Sequence, residues 1–234
     1  MQSRERSASL ARLWFGLTSV AVLTGLVWQL VLQVQGVNVL IGPTGQLPGL
    51  GTRMVRYFSF FTVESNILVA GIALTLALDP RRDGTWWRML RLQGLFGITI
   101  TGVVYRSLLH GIVDLHGAAA VTNALLHYVS PIMAILGWLV FGPRPRFTES
   151  ILLASLSWPA LYVAWILAHG AATNWYPYPF VDVKTLGYPT VLRNGVGLTL
   201  VMVGCGALYL WLDHHLPSTD RRRPAEGVHR RETV

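Results

Sequence analysis

The sequence predicts an all-α, polytopic membrane bundle of six transmembrane helices, and three observations predict it. Hydrophobic residues fill 52% of the 234 positions and charged ones only 13%, which leaves too little polar surface to clothe a water-soluble globule of this size. Six segments are apolar for roughly 20 residues, the helical length that crosses a hydrocarbon layer while pairing every backbone N–H and C=O internally. The cations alternate from one connection to the next, as they do when a chain is threaded back and forth across a bilayer.

The first span runs from Leu13 to Val34 behind Arg4, Arg6 and Arg12. It is longer than the apolar core of a secretory signal and no small-residue cleavage site follows, so an uncleaved helix is expected. The second runs from Tyr57 to Leu78, the third from Met89 to Leu109, the fourth from Val121 to Phe141, the fifth from Ile151 to His169 and the sixth from Thr190 to Leu212. Residues 1–12 then form an N-terminal segment, 13–212 the membrane domain, and 213–234 a basic tail expected to be disordered. Trp86, Trp87, Trp175 and Tyr176 fall where an interfacial aromatic belt lies.

Connections after spans one, three and five are rich in Gly, Pro, Asn and aromatics, as in Gly42-Pro43-Thr44-Gly45 and Asn174-Trp175-Tyr176-Pro177-Tyr178-Pro179. Those after two and four carry Arg81, Arg82, Arg88 and Arg91, then Arg144 and Arg146. With the N-terminal three and Arg221, Arg222, Arg223, Arg230 and Arg231, these stand on one side, against Arg53, Arg56, Arg106, Lys184 and Arg193 on the other. The positive-inside rule puts both termini in the cytoplasm and the protein in the plasma membrane. The net charge of +8 is therefore a topology signal, and membrane lipids rather than nucleic acid are the expected partners. Cys205 is the single cysteine; no disulfide, metal motif or cofactor is implied.

Polar residues within spans are costly and usually face the bundle interior. Here they converge. Ser59, Thr62, Glu64 and Asn66 fall in the outer half of span two, Arg106 ends span three, Asn123 and His127 begin span four, His169 ends span five, and Arg193 with Asn194 begins span six. Spacings of three and four put Ser59, Thr62 and Asn66 on one stripe, Asn123, His127 and Pro131 on another, and Trp158, Tyr162, Trp165 and His169 on a third. A pocket near the outer leaflet is expected, with Arg106 facing protein. Structural readings stand beside these: membrane Ser and Thr commonly bond their own backbone carbonyls, Glu64 can neutralise Arg56 or Arg193, and an aromatic stripe is often plain packing.

The run Arg56-Tyr57-Phe58-Ser59-Phe60-Phe61-Thr62-Val63-Glu64-Ser65-Asn66 resembles the second-span motif of the bacterial Pr6Pr family, similar in turn to the androgen-induced, FAR-17a-like membrane proteins. Asn123-Ala124-Leu125-Leu126-His127 with Pro131, and His169 followed by Trp175 and Tyr178-Pro179-Phe180, resemble further motifs of that family. The resemblance covers most of residues 10–212 and implies a membrane-embedded hydrolase of lipid esters, such as fatty-acid esters of hydroxy fatty acids, with a Thr nucleophile and a His base. The His falls on His127. The Thr falls on Ser59 in an ungapped match, with Thr62 one turn deeper, so the nucleophile is left between Ser59 and Thr62. Asn66 or Asn123 would orient the ring or the oxyanion, Arg106 or Arg193 would hold a carboxylate, and Trp158, Tyr162 and Trp165 would line an acyl channel. Two other classes stay open: a non-catalytic lipid-binding or scaffold protein, and a proton-coupled transporter relaying through Glu64, Arg106 and His127. The inner halves of the spans are nearly all apolar, which disfavours the transporter.

Overall fold

A computed structural model describes residues 2–37, 46–112 and 114–218. Nine α-helices are present among them: α1 (Gln2–Gln35), α2 (Leu50–Phe58), α3 (Phe61–Leu78), α4 (Thr85–Val104), α5 (Ala118–Ala124), α6 (Ser130–Phe141), α7 (Glu149–Ser155), α8 (Ser157–Thr173) and α9 (Val183–His215). Single π-helical turns at Tyr105–Leu109 and Leu125–Val129 extend α4 and join α5 to α6. Six stretches are long and apolar enough to cross a membrane: Glu5–Gln35, Phe61–Leu78, Thr85–Leu109, Ala118–Phe141, Glu149–Thr173 and Val183–His215. The chain is a multi-pass membrane bundle. Its outward face explains why: Leu13, Leu17, Val20, Leu161, Val196 and Leu200 are more than half exposed, a surface that water would not tolerate and lipid tails would.

An even number of crossings returns the chain to its starting end, so both termini share one face, called here the terminal face. The described connecting residues 46–49, 110–112, 114–117 and 174–182 lie at the opposite, distal face. The core is built on α1 against α3, where Val22, Leu26, Val63, Val69, Ala70 and Leu126 form one buried cluster. α4 packs on α3's other side, with Phe96, Leu92 and Ile98 fully buried. The expected loop Gly42–Gly45 and most of the basic tail (219–234) lie outside the described residues.

Several boundaries differ from expectation. α1 begins at Gln2, longer than hydropathy suggested because polar residues at helix ends remain good helix formers once the apolar middle is packed; α9 spans Val183–His215 but is broken at Gly187 (φ 73°, ψ 158°) ahead of Pro189, so its long apolar part starts close to the expected Thr190. The second span is not one helix from Tyr57: α2 ends at Phe58, Ser59 takes a cap position, and Phe60 is extended at φ −83° and ψ 124°. Ser59 is therefore cut off from the stripe of Thr62 and Asn66, which stay one turn apart on α3. The Ser59 carbonyl freed by this break accepts the Tyr162 hydroxyl at 3.0 Å, so α8 holds the break open from across the bundle.

Prolines account for two further interruptions. Pro159 cannot donate to the Ser155 carbonyl one turn back, and Gln93 Nε2 fills that acceptor instead at 3.2 Å; the chain turns at Leu156 between α7 and α8. Pro131 likewise leaves the His127 carbonyl without its helical donor, and the preceding turn widens to π geometry, with the Ser130 amide reaching Leu125.

On the terminal face, Arg91 is only 2% exposed and donates to the Gly142 and Pro143 carbonyls, saturating acceptors that the end of α6 leaves open. Asp213 is 1% exposed and accepts the backbone amides of Arg146 and Phe147. Charged groups that read as loop cations and a tail acid thus tie α4, α6 and α9 together.

Candidate active site

The helix break at Ser59–Phe60 decides what each hydroxyl does. Ser59 sits at the end of α2 with a carbonyl one turn behind it, and its Oγ donates to the Val55 oxygen at 2.7 Å while accepting Trp165 Nε1 at 3.0 Å. Its proton is committed to the backbone. Thr62 is the second residue of α3, where no helical carbonyl lies one turn behind because α3 has only just begun. Its hydroxyl turns instead to α5 and α6, and Oγ1 lies 3.2 Å from His127 Nε2.

Geometry fixes the roles within this pair. In a neutral imidazole one nitrogen donates and the other accepts. His127 Nδ1 faces the Asn123 carbonyl at 3.2 Å, and a carbonyl can only accept, so Nδ1 carries the proton. Nε2 is then the acceptor, and the Thr62 O–H donates to it. The ring is clamped by Tyr105, whose own ring lies 4.1 Å away at 31°. Asn123 Nδ2 donates to the Tyr105 hydroxyl at 2.7 Å, which fixes the clamp. Both Tyr105 and His127 stand in π-helical turns, a local widening that commonly accompanies functional residues in membrane and soluble helices alike.

Asn66, fully buried, donates from Nδ2 to the Thr62 carbonyl at 2.8 Å and the Leu126 carbonyl at 3.1 Å. It bolts the first turn of α3 to the turn carrying His127 and has no proton left for an oxyanion. The role expected of Asn123 passes to its backbone carbonyl, which holds the ring. A group to which the sequence reading gave no catalytic role is better placed: the Tyr178 hydroxyl accepts the Thr62 amide at 3.4 Å and so stands beside the Thr62 hydroxyl. Burial in the distal loop pushes this phenol's pKa up, keeping it a donor. Tyr178 was legible as part of the Tyr178-Pro179-Phe180 run but not as a partner of Thr62, and nothing in the spacing of Tyr105 ties it to His127.

Two cavities meet at Thr62. One, of about 440 Å³, opens among the distal loops and is lined by Gln29, Gln33, Arg53, Arg56, Asn123 and His127. The other, of about 490 Å³, is almost wholly apolar and lies between α4, α8 and α9. Thr62, Leu109 and Tyr178 line both. Arg53 is mostly spent on the Gln33 and Val34 carbonyls at the end of α1, while Arg56 lies over the Trp175 ring at 5.0 Å.

The remaining expected residues fall outside this centre. Glu64 accepts Trp158 Nε1 at 2.7 Å, an aromatic partner in place of the arginine expected. Trp158 stacks on Phe61 at 4.7 Å and Tyr162 is buried at the cavity wall, but Trp165 lies outside it, stacked on His169. Asn194 lines the apolar cavity and donates to the Phe180 carbonyl at 2.9 Å. Arg193 is exposed, and so is Arg106. Arg106 does not face protein: the π turn at 105–109 rotates Tyr105 inward and leaves its neighbour outside, where a long cationic side chain can reach the interface. Among the described residues no cluster of metal-ligating side chains forms; His116 pairs with Asp114 at 3.0 Å on the surface. No family model, curated protein or solved structure matches the chain.

Proposed function

We propose that the protein is a membrane-embedded hydrolase of lipid esters in which Thr62 is the nucleophile and His127 the general base. The observation that carries this reading is the hydroxyl–imidazole pair at 3.2 Å, within the reach general-base catalysis requires. In this reading Thr62 Oγ1 attacks the ester carbonyl as its proton passes to His127 Nε2. Collapse of the tetrahedral adduct breaks the ester bond, and the alcohol departs with that proton. Water then attacks the Thr62 ester with His127 again as base, releasing the acid and restoring the hydroxyl.

The two cavities support the reading because hydrolysis needs both lipid and water at one carbonyl. Polar walls on the distal side admit water, and the apolar chamber shelters hydrocarbon. The Tyr178 hydroxyl is the candidate donor to the developing oxyanion. The similarity of the Arg56–Asn66 and Asn123–Pro131 runs to the Pr6Pr and FAR-17a-like proteins supports the same chemistry, although an ungapped match sets the family's threonine on Ser59 and the nucleophile's role here goes to Thr62, one turn deeper. The loop charges support an orientation with both termini cytoplasmic, so that the site serves the outer leaflet of the plasma membrane. The test is hydrolysis of long-chain lipid esters by the purified protein in detergent: turnover in the wild type that disappears in both Thr62→Ala and His127→Ala is the expected result, and equal turnover in all three sinks the proposal.

A further inference from the structure

The apolar cavity has a feature that the Thr62–His127 pair does not explain. Several residues lining it are also exposed on the outside of the bundle, among them Leu192 at 55%, Val196 at 62% and Leu200 at 67%. A wall that is both cavity and outer surface is a wall with an opening. These three residues belong to α9, and α8 lines the same cavity through Pro159, Val163 and Leu167. Its other walls are Ile100, Val104, Ile166 and Met202, with Thr62 at its distal end.

We infer that this cavity is an acyl-chain binding site, entered sideways from the bilayer between α8 and α9, and that Gly195 sets the length of chain it accepts. The site deepens the hydrolase reading, on which the catalytic arm of its test rests. Three observations commit it to an acyl chain. The lining is apolar except for Thr62, Thr101, Thr199, Asn194 and the Tyr hydroxyls, and Asn194 is already satisfied by Phe180. The cavity is continuous with the Thr62 hydroxyl, so a chain lying in it presents its carboxyl end to the reacting pair. The lining runs from Val191 to Met202 along α9, about 16 Å at the helical rise of ~1.5 Å per residue, long enough for an extended acyl chain to lie along the helix.

Gly195 lines this cavity, and a Cβ placed there would meet no atom within 4 Å. A larger side chain would grow into the space the chain occupies. Gly197, two residues on in the same helix, is equally open to a Cβ but faces away from the cavity. The pair separates filling of the cavity from any general effect of replacing a helical glycine.

The experiment compares wild type with Gly195→Leu, Gly195→Phe, Gly197→Leu and Gly197→Phe. It uses butyryl and palmitoyl p-nitrophenyl esters for turnover and a fluorescent palmitate analogue for binding. Both Gly195 variants are expected to lose palmitoyl turnover about tenfold or more while keeping butyryl turnover, and to bind the probe about tenfold more weakly; both Gly197 variants behave as wild type. Probe binding lost only at Gly195 with no turnover in any protein upholds the acyl site and overturns the hydrolase. An unchanged chain-length profile and unchanged probe binding in the Gly195 variants, or equal losses in the Gly197 variants, overturn the acyl site and leave the hydrolase standing.

Discussion

Thr62 Oγ1 and His127 Nε2 stand 3.2 Å apart although 65 residues separate them in the chain, and each is placed by a departure from regular α-helix. Thr62 is free of the backbone because α3 starts at Phe61. His127 is turned inward because its own turn is π-helical ahead of Pro131. Regular helices through both positions would have sent the hydroxyl to a carbonyl and the imidazole to a different face.

The two candidate hydroxyls are therefore distinguishable. Thr62→Ala is expected to lower turnover by ~10²–10⁴, the size of a lost nucleophile–base step, whereas Thr62→Ser keeps an oxygen in place and most of the activity. Ser59→Ala removes only the Val55 bond and the Trp165 acceptor and is expected to leave kcat close to wild type. Loss of activity in Ser59→Ala with retention in Thr62→Ala would reverse the assignment.

Asn66→Ala removes the bolt between α3 and the His127 turn. The buried Leu126 carbonyl loses its donor, a cost of ~1–3 kcal/mol for a group left unsatisfied in a place water cannot reach, while the Thr62 carbonyl loses its second donor. Thermal unfolding in detergent should shift down, and kcat should fall even where the folded protein persists. A variant with wild-type stability would show that the amide is not holding these elements.

Gly170→Ala tests the distal cap. A Cβ at 170 would lie 2.0 Å from the Tyr176 ring, which belongs to the loop that carries Tyr178 over Thr62. The ring must move, at a cost of ~1–3 kcal/mol typical of overpacking. Measured turnover should fall with little change in the far-ultraviolet spectrum; an unaltered kcat would mean that the loop's position does not matter to the site.

Asp83, in the turn between α3 and α4, accepts Arg88 Nε at 2.6 Å and Nη2 at 2.7 Å, with Arg146 Nε at 3.3 Å. The Arg88 hydrogen bonds, foremost, draw its pKa down from 3.8 to about 2. A carboxylate depressed on folding adds stability above its ordinary value, and that stability is lost as pH falls through about 2. Because the pair is partly solvent-exposed, its worth is ~0.2–1 kcal/mol. Asp83→Asn should lower the unfolding temperature slightly at neutral pH, and the difference from wild type should close on acidification. A gap that persists at the acid end would locate the effect elsewhere.

How much was readable follows from how local each signal is. Pro159 and Pro131 carry the cause of their interruptions locally, since a missing amide is a property of one residue, although spans four and five were expected as unbroken helices. Of the polar residues expected to gather, Thr62, Asn66, Asn123 and His127 do meet, while Arg106 and Arg193 turn outward. The break at Ser59 was not legible: Phe58-Ser59-Phe60-Phe61 contains no helix breaker, and what stabilises the gap is Tyr162, 103 positions away, bonding the freed carbonyl. The inward turn of Tyr105 and the arrival of Tyr178 over Thr62 depend on partners equally remote.

By itself, then, the sequence determined that the chain forms six apolar helices long enough to cross a membrane, because lipid exacts backbone pairing and apolarity segment by segment. Only the tertiary structure decided which hydroxyl faces His127 and where a chain can lie beside it. Those depend on the rotation of one helix against another, and rotation is set by contacts that no single segment contains.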